Sequence, residues 1–159
     1  MKTLDSTDQR ILNLLQEDST LAVKEIAEKV GLSFSPTYER IKTMKQAGII
    51  EKYVALLNPD RAGFELMAYC NITLKEQSLE NLHIFEQQIG GRPEVLEVVS
   101  LSGTYDYMIK VVSKNIKDYN QFVTEVIANI PNIGQYHSHI VLSVIKRETK
   151  LTFTPDEEV

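Results

Sequence analysis

Three things are scarce in this 159-residue chain: cysteine, long apolar runs and excess positive charge. The single cysteine, Cys70, excludes an intrachain disulfide and stands in an alternating apolar segment, so it reads as a small buried hydrophobe, not a nucleophile. No apolar stretch approaches the roughly 18 residues of a membrane span, and Met1 to Arg10 carries charges where a signal peptide is apolar. The expected location is the cytoplasm, with no membrane partner. A phosphate loop, metal-ligand spacing and a nucleophile elbow are all missing, so the sequence points away from an enzyme and from any cofactor or metal. What remains is an ordinary globular composition, 43% hydrophobic and 25% charged.

The net charge of −5 argues against a nucleic-acid partner only until it is divided along the chain. Residues 1 to 63 hold nine Lys/Arg and nine Asp/Glu, whereas residues 64 to 159 hold eight and thirteen. The acidity therefore belongs to the second part. Between Ser33 and Tyr53, Arg40, Lys42, Lys45 and Lys52 outnumber Glu39 and Glu51, a modest footprint for phosphate contact.

The first sixty residues read as three short helices. Asp5 caps a helix carrying Ile11, Leu14 and Leu15 at i, i+3 and i+4. Val23, Ile26, Ala27 and Val30 define a second helix, closed by Gly31; its cap is either Thr20 or absent, because Ala22 stands where a hydroxyl is usual. A third helix is expected from Ser35 as N-cap and Pro36 at the first position to about Ala47. Thr37, Ile41 and Met44 form its packing face, leaving Ser35, Tyr38, Glu39, Lys42 and Gln46 on the free face. Residues Ile49 to Leu56 alternate enough for two short wing strands. Such an arrangement is a winged helix-turn-helix, although a three-helix bundle without a nucleic-acid role has the same periodicity.

After a hinge at Asn58-Pro59 and Ala62-Gly63, Leu66 to Leu74 alternates as a strand. Ser78 opens a helix with Leu82, Phe85 and Ile89. Residues Val95 to Leu101 and Tyr105 to Val112 form a hairpin around Ser102-Gly103-Thr104. A helical stripe from Tyr119 to Ile130 is stopped by Pro131, and Tyr136 to Ile145 is a last strand. The order βαββαβ is the ferredoxin-like split motif, with helices on one face of an antiparallel sheet. Its other face is half apolar and calls for a second subunit. His137 and His139 share one side of the last strand, without a third metal ligand in view; Glu157-Glu158 reads as solvated.

Several runs resemble the Lrp/AsnC family of bacterial and archaeal transcription regulators. They are Leu4-Asp5-x-x-Asp8-x-x-Ile11-Leu12, Glu25-Ile26-Ala27-x-x-Val30-Gly31-Leu32-Ser33, Glu39-Arg40-Ile41-x-x-Met44 with Gly48-Ile49-Ile50, and Tyr53-x-x-Leu56-Leu57-Asn58-Pro59. The likeness continues through the second part, where Gly103-Thr104-Tyr105-Asp106 resembles the family's effector loop. It implies an α+β chain with a winged helix-turn-helix over residues 1–53, a linker over 54–63 and a ferredoxin-like ligand-sensing and oligomerisation domain over 64–159. It further implies double-stranded DNA met by Ser33, Ser35, Tyr38, Arg40, Lys42 and Lys45. An amino-acid effector would be held by Ser102, Gly103, Thr104, Tyr105, Asp106 and Ser138, in a homodimer that assembles to a tetramer or octamer. The rival reading is a sensing module of the same fold that acts through protein contacts without DNA.

Overall fold

A computed structural model describes residues 3–153. Within them the chain divides into two units, one built from residues up to 56 together with those from 146 onward, the other from 57 to 145.

The first unit is helical. Asp5 caps α1 (Ser6–Glu17) as expected, its Oδ1 accepting the backbone N–H of Asp8 at 2.7 Å. The cap of α2 (Val23–Val30) is Ala22, whose N–H donates to Glu25 Oε2 at 2.8 Å; Thr20 instead bonds Asp18. Half of a capping box thus survives without the hydroxyl. Gly31 ends α2 in the left-handed region (φ 74°), which lets Leu32 N–H reach back to Ala27 C=O. The third helix, α3 (Phe34–Gln46), begins two residues earlier than the sequence suggested, with Ser33 as N-cap and Pro36 inside the first turn. None of the first four N–H groups of a helix has an intrahelical acceptor, so proline marks the first turn, not one position in it. Ile11, Ile26, Val30, Ile41 and Met44 form the core of this unit.

The expected pair of wing strands does not form: residues 51–58 lack regular structure. No glycine, proline, asparagine or aspartate lies between Ile49 and Leu57 to turn the chain into a hairpin. Tyr53 instead lies under the Lys45 ammonium, 4.5 Å from its ring centre. Residues 146–153 follow the sheet domain in sequence yet group with the helices. The Gln16 side-chain amide exchanges two hydrogen bonds with the Leu151 backbone (2.7 and 3.1 Å), Lys150 pairs with Glu17, and Phe153 packs against the helical core.

In the second unit β1 (Leu66–Leu74), α4 (Leu79–Gly90), β2 (Val95–Ser100), β3 (Tyr107–Ser113), α5 (Ile116–Glu125) and β4 (Ile133–Ile140) follow the expected βαββαβ order. All neighbouring strands are antiparallel, in the order β2-β3-β1-β4. Strand β4 starts three residues before and ends five before the expected limits, and α5 gives way to a 3₁₀ turn at Ile127–Asn129. Leu66, Ala68, Cys70, Ile72 and Leu74 point into a core completed by Phe85, Ile109, Val111 and Phe122. The opposite face carries Met67, Tyr69, Asn71 and Thr73 of β1, half-buried, beside Met108 and Lys110 of β3 and His137 and His139 of β4.

Candidate nucleic-acid interface and effector loop

The packing face of α3 is the expected one, since Thr37, Ile41 and Met44 are buried. Ser33, Ser35, Tyr38, Lys42 and Lys45 are exposed on the remaining surface. Arg40 is not. Its guanidinium bonds Asp5 Oδ2 at 2.6 Å and Asp8 Oδ1 at 2.8 Å, and the Asp8 side chain is only 1% exposed. Arg40 therefore ties α3 to the start of α1, a contact that a helical wheel drawn on α3 alone cannot reveal. The Asp8 N–H, followed by the Arg40 guanidinium, holds the Asp5 carboxyl below its ordinary pKa. Phe34, which the sequence analysis left aside, is 54% exposed and stacks on Tyr38 with ring centres 6.0 Å apart. Its signal was an aromatic four residues before Tyr38 and off the apolar stripe.

Between β2 and β3 the chain passes through Ser102, Gly103, Thr104, Tyr105 and Asp106. Gly103 has φ 131°, open to glycine alone at little cost, and no atom would meet a Cβ built there. Asp106 braces the loop from both oxygens: Oδ2 accepts Leu74 N–H at 2.7 Å and Oδ1 accepts the Gln77 side-chain amide at 2.6 Å. The Asp106 N–H donates to Ile72 C=O, and its C=O accepts Leu101 N–H. Among the described residues, the backbone N–H groups of residues 102–105 donate no hydrogen bond within the chain. Ser138 faces the helical layer, where its hydroxyl accepts from Tyr119 at 2.6 Å. Tyr105 meets the other face of β4, its ring edge-on to His137 at 5.7 Å. The structure thus gathers five of the six expected effector residues into one loop and shows no contact of Ser138 with it.

Comparison with known proteins fits both halves. The Lrp/AsnC ligand binding domain family matches residues 67–151, and a winged helix-turn-helix DNA-binding family matches residues 4–51. The chain belongs to the Lrp/AsnC family. The transcriptional regulator AzlB of Bacillus subtilis is 35% identical over 144 residues, spanning 91% of this chain and 92% of that protein. An AsnC family transcriptional regulator from Agrobacterium tumefaciens has 38% identity and a TM-score of 0.88, with 93% of this chain and 96% of that one covered. A transcriptional regulator of Neisseria meningitidis, solved in complex with L-Met, has 32% identity and a TM-score of 0.89, covering 94% of this chain and 97% of that one. This Lrp/AsnC chain is a DNA-binding transcription regulator with an effector-binding domain, and its relatives are regulators rather than enzymes.

The other candidate groups of this Lrp/AsnC protein have structural partners. Cys70 is fully buried, and burial raises its thiol pKa. His139 lies 3.4 Å from the Asn71 amide on the outer face. Among the described residues, no cluster of three or more His, Cys, Asp or Glu could hold a metal, and no helix is long and apolar enough to cross a membrane.

Proposed function

We propose that the effector is an amino acid, taken at the Ser102–Asp106 loop, and that the regulator works in the cytoplasm as a homodimer or a multiple of it. The carrying observation is the run of backbone N–H groups at residues 102–105 without partners among the described residues, beside a glycine at φ 131°. Consecutive N–H groups in such a turn receive a carboxylate. The Neisseria relative, solved with L-Met, supports this ligand class. Asp106 acts by holding the loop in shape, and the ammonium group of the ligand is free to use its remaining acceptor capacity. Ser138, bonded to Tyr119 and without contact to the loop in the single chain, is left out of the proposed site.

Two subunits joined through the half-apolar faces of their sheets would present two α3 helices to major-groove half-sites about 34 Å apart. Ser33, Ser35, Tyr38, Lys42 and Lys45 are the proposed DNA contacts, with Phe34 added beside Tyr38. A thermal-shift screen of the twenty amino acids tests the effector site. A true effector stabilises by about 2.7 kcal/mol at a hundredfold excess over its Kd. Gly103→Val removes the shift because a branched side chain resists positive φ. No shift with any amino acid, or equal shifts in the two proteins, refutes this loop as the site.

A further inference from the structure

The helical unit contains a cavity of about 460 Å³ beside the proposed DNA-contact face. Ile26 and Ile41, both buried, and the partly buried Leu15, Leu21 and Val23 give it an apolar wall. The exposed side chains at its mouth are Tyr38, Lys42, Lys45 and Tyr53. The exposed Ser19 and Gln46 complete the lining, which among the described residues includes no carboxylate. Lys42 has an exposed partner outside it, Glu39 at 3.6 Å, whereas Lys45 rests over the Tyr53 ring and pairs with no carboxylate among the described residues.

We propose that this cavity binds a small organic anion with an apolar body, a carboxylate on a short alkyl or aryl chain. The volume lies in the range of small-molecule sites, whose walls are mostly apolar with a few placed polar groups. Charge complementarity fixes the sign of the ligand: Lys42 is already shared with Glu39 at the surface, but Lys45 meets no carboxylate among the described residues, so the mouth keeps a positive charge that repels a cation and attracts an anion. A DNA phosphate alone would satisfy the lysines but leave the apolar wall wet. The site is separate from the Ser102–Asp106 loop and gives the regulator a second chemical input. Its effect on DNA rests on the reading that the exposed face of α3 meets the duplex. An anion neutralising Lys42 and Lys45 beside Tyr38 opposes DNA binding, and by linkage DNA opposes the anion.

The test uses the full chain with methyl-labelled Ile, Leu and Val, titrated by NMR without DNA. The probes are 3-phenylpropanoate, 3-phenylpropan-1-ol and 3-phenylpropylammonium. The expected result is saturable shifts of the Leu15, Leu21, Val23, Ile26 and Ile41 methyls, with the acid tightest and the ammonium weakest. Lys45→Met should weaken the acid about tenfold while leaving the alcohol unchanged, which also reports that the cavity is still formed. Absence of saturation at these methyls, binding of the ammonium as tight as the acid, or shifts confined to the sheet unit overturns the proposal. Fluorescence anisotropy with a mixed-sequence duplex then tests the coupling. The acid should raise the Kd for DNA in the parent, and about tenfold more acid should be needed for the same relative rise in Lys45→Met, whose DNA affinity is itself lower; an unchanged Kd with the cavity saturated refutes the antagonism. A parent protein that binds no duplex even without acid counts against the DNA face and not the cavity, because the methyl titration contains no DNA.

Discussion

Replacing Arg40 by Met separates a structural role for this arginine from contact with phosphate. The substitution keeps most of the aliphatic stem and removes the guanidinium that joins α3 to Asp5 and Asp8. The two arms differ in worth. The Asp5 carboxylate is 52% exposed, so that arm contributes at most about 1 kcal/mol. The Asp8 carboxylate is 1% exposed, and a hydrogen bond between charged groups there is worth roughly 1.5–3 kcal/mol. Asp8 keeps a further interaction, which puts the expected loss near 2 kcal/mol in total. Hydrogen exchange measures it locally: α1 and α3 amides should exchange roughly 30-fold faster, while those of α5 and β1 stay as they were. The pH dependence has a definite sign. The Asp5 pKa is lowered in the folded state, so its contribution is present above the ordinary carboxylate range and is lost as pH falls through the folded value. The Asp5 share of the difference between parent and variant should therefore begin to shrink only below the ordinary carboxylate range. Unchanged exchange together with a fall of about one in the salt slope of DNA binding would show that Arg40 contacts phosphate and that the bridge is dispensable.

Three further outcomes follow from the same geometry. Lys42→Ala should weaken DNA binding similarly on all sequences and reduce the salt slope by about one unit in gel-shift titrations at several salt concentrations; an unchanged slope removes Lys42 from the interface. Met67→Glu, placed opposite Val112 on the outer sheet face, should dissociate the dimer in light scattering at micromolar concentration, since breaking such a surface with an unpaired charge costs about 3–5 kcal/mol; a monomeric parent contradicts the assembly. Burial, then the hydrogen bond to Glu86, pushes the Tyr107 phenol up to about 12. Its stabilising effect is complete below the unfolded tyrosine pKa of about 10 and is lost as pH rises through the folded value; burial also raises Tyr119, so ultraviolet titration should show late-ionising tyrosines, of which Tyr107→Phe removes one.

Local rules carried the elements whose partners are near in sequence. The Asp5 cap, the helix opening at Ser78, the stripe of α2 and the alternation of β1 follow from capping and periodicity, and the structure has each of them, with Val23 of the α2 stripe only partly buried. The loop at Gly103 to Asp106 was legible as a turn for the same reason, while its effector role came only from the family resemblance. What escaped depends on distant partners. Arg40 falls near the edge of α3 on a helical wheel, and only the tertiary fold brings Asp5 and Asp8 to it. Ser138 matched a pattern but is taken by Tyr119 from α5. Asp106 was placed among the effector residues, and its carboxylate also holds the end of β1 and the Gln77 side chain, about thirty residues away. The stripe from Tyr119 to Ile130 is buried at Tyr119, Phe122, Val123, Ile127 and Ile130 and partly buried at Val126, but periodicity does not distinguish the last turn of an α-helix from a 3₁₀ turn.

The return of residues 146–153 to α1 has a consequence for the order in which the protein is made. The helical unit is not contiguous in sequence: Gln16 and Glu17 emerge early, while Leu151, Lys150 and Phe153 emerge only after the whole sheet. Translation at roughly 5–20 residues per second puts the two events on the order of ten seconds apart. The part that reads DNA therefore receives its final contacts only after the part that senses the effector has been synthesised, and a nascent chain stalled within the sheet carries an unfinished reader.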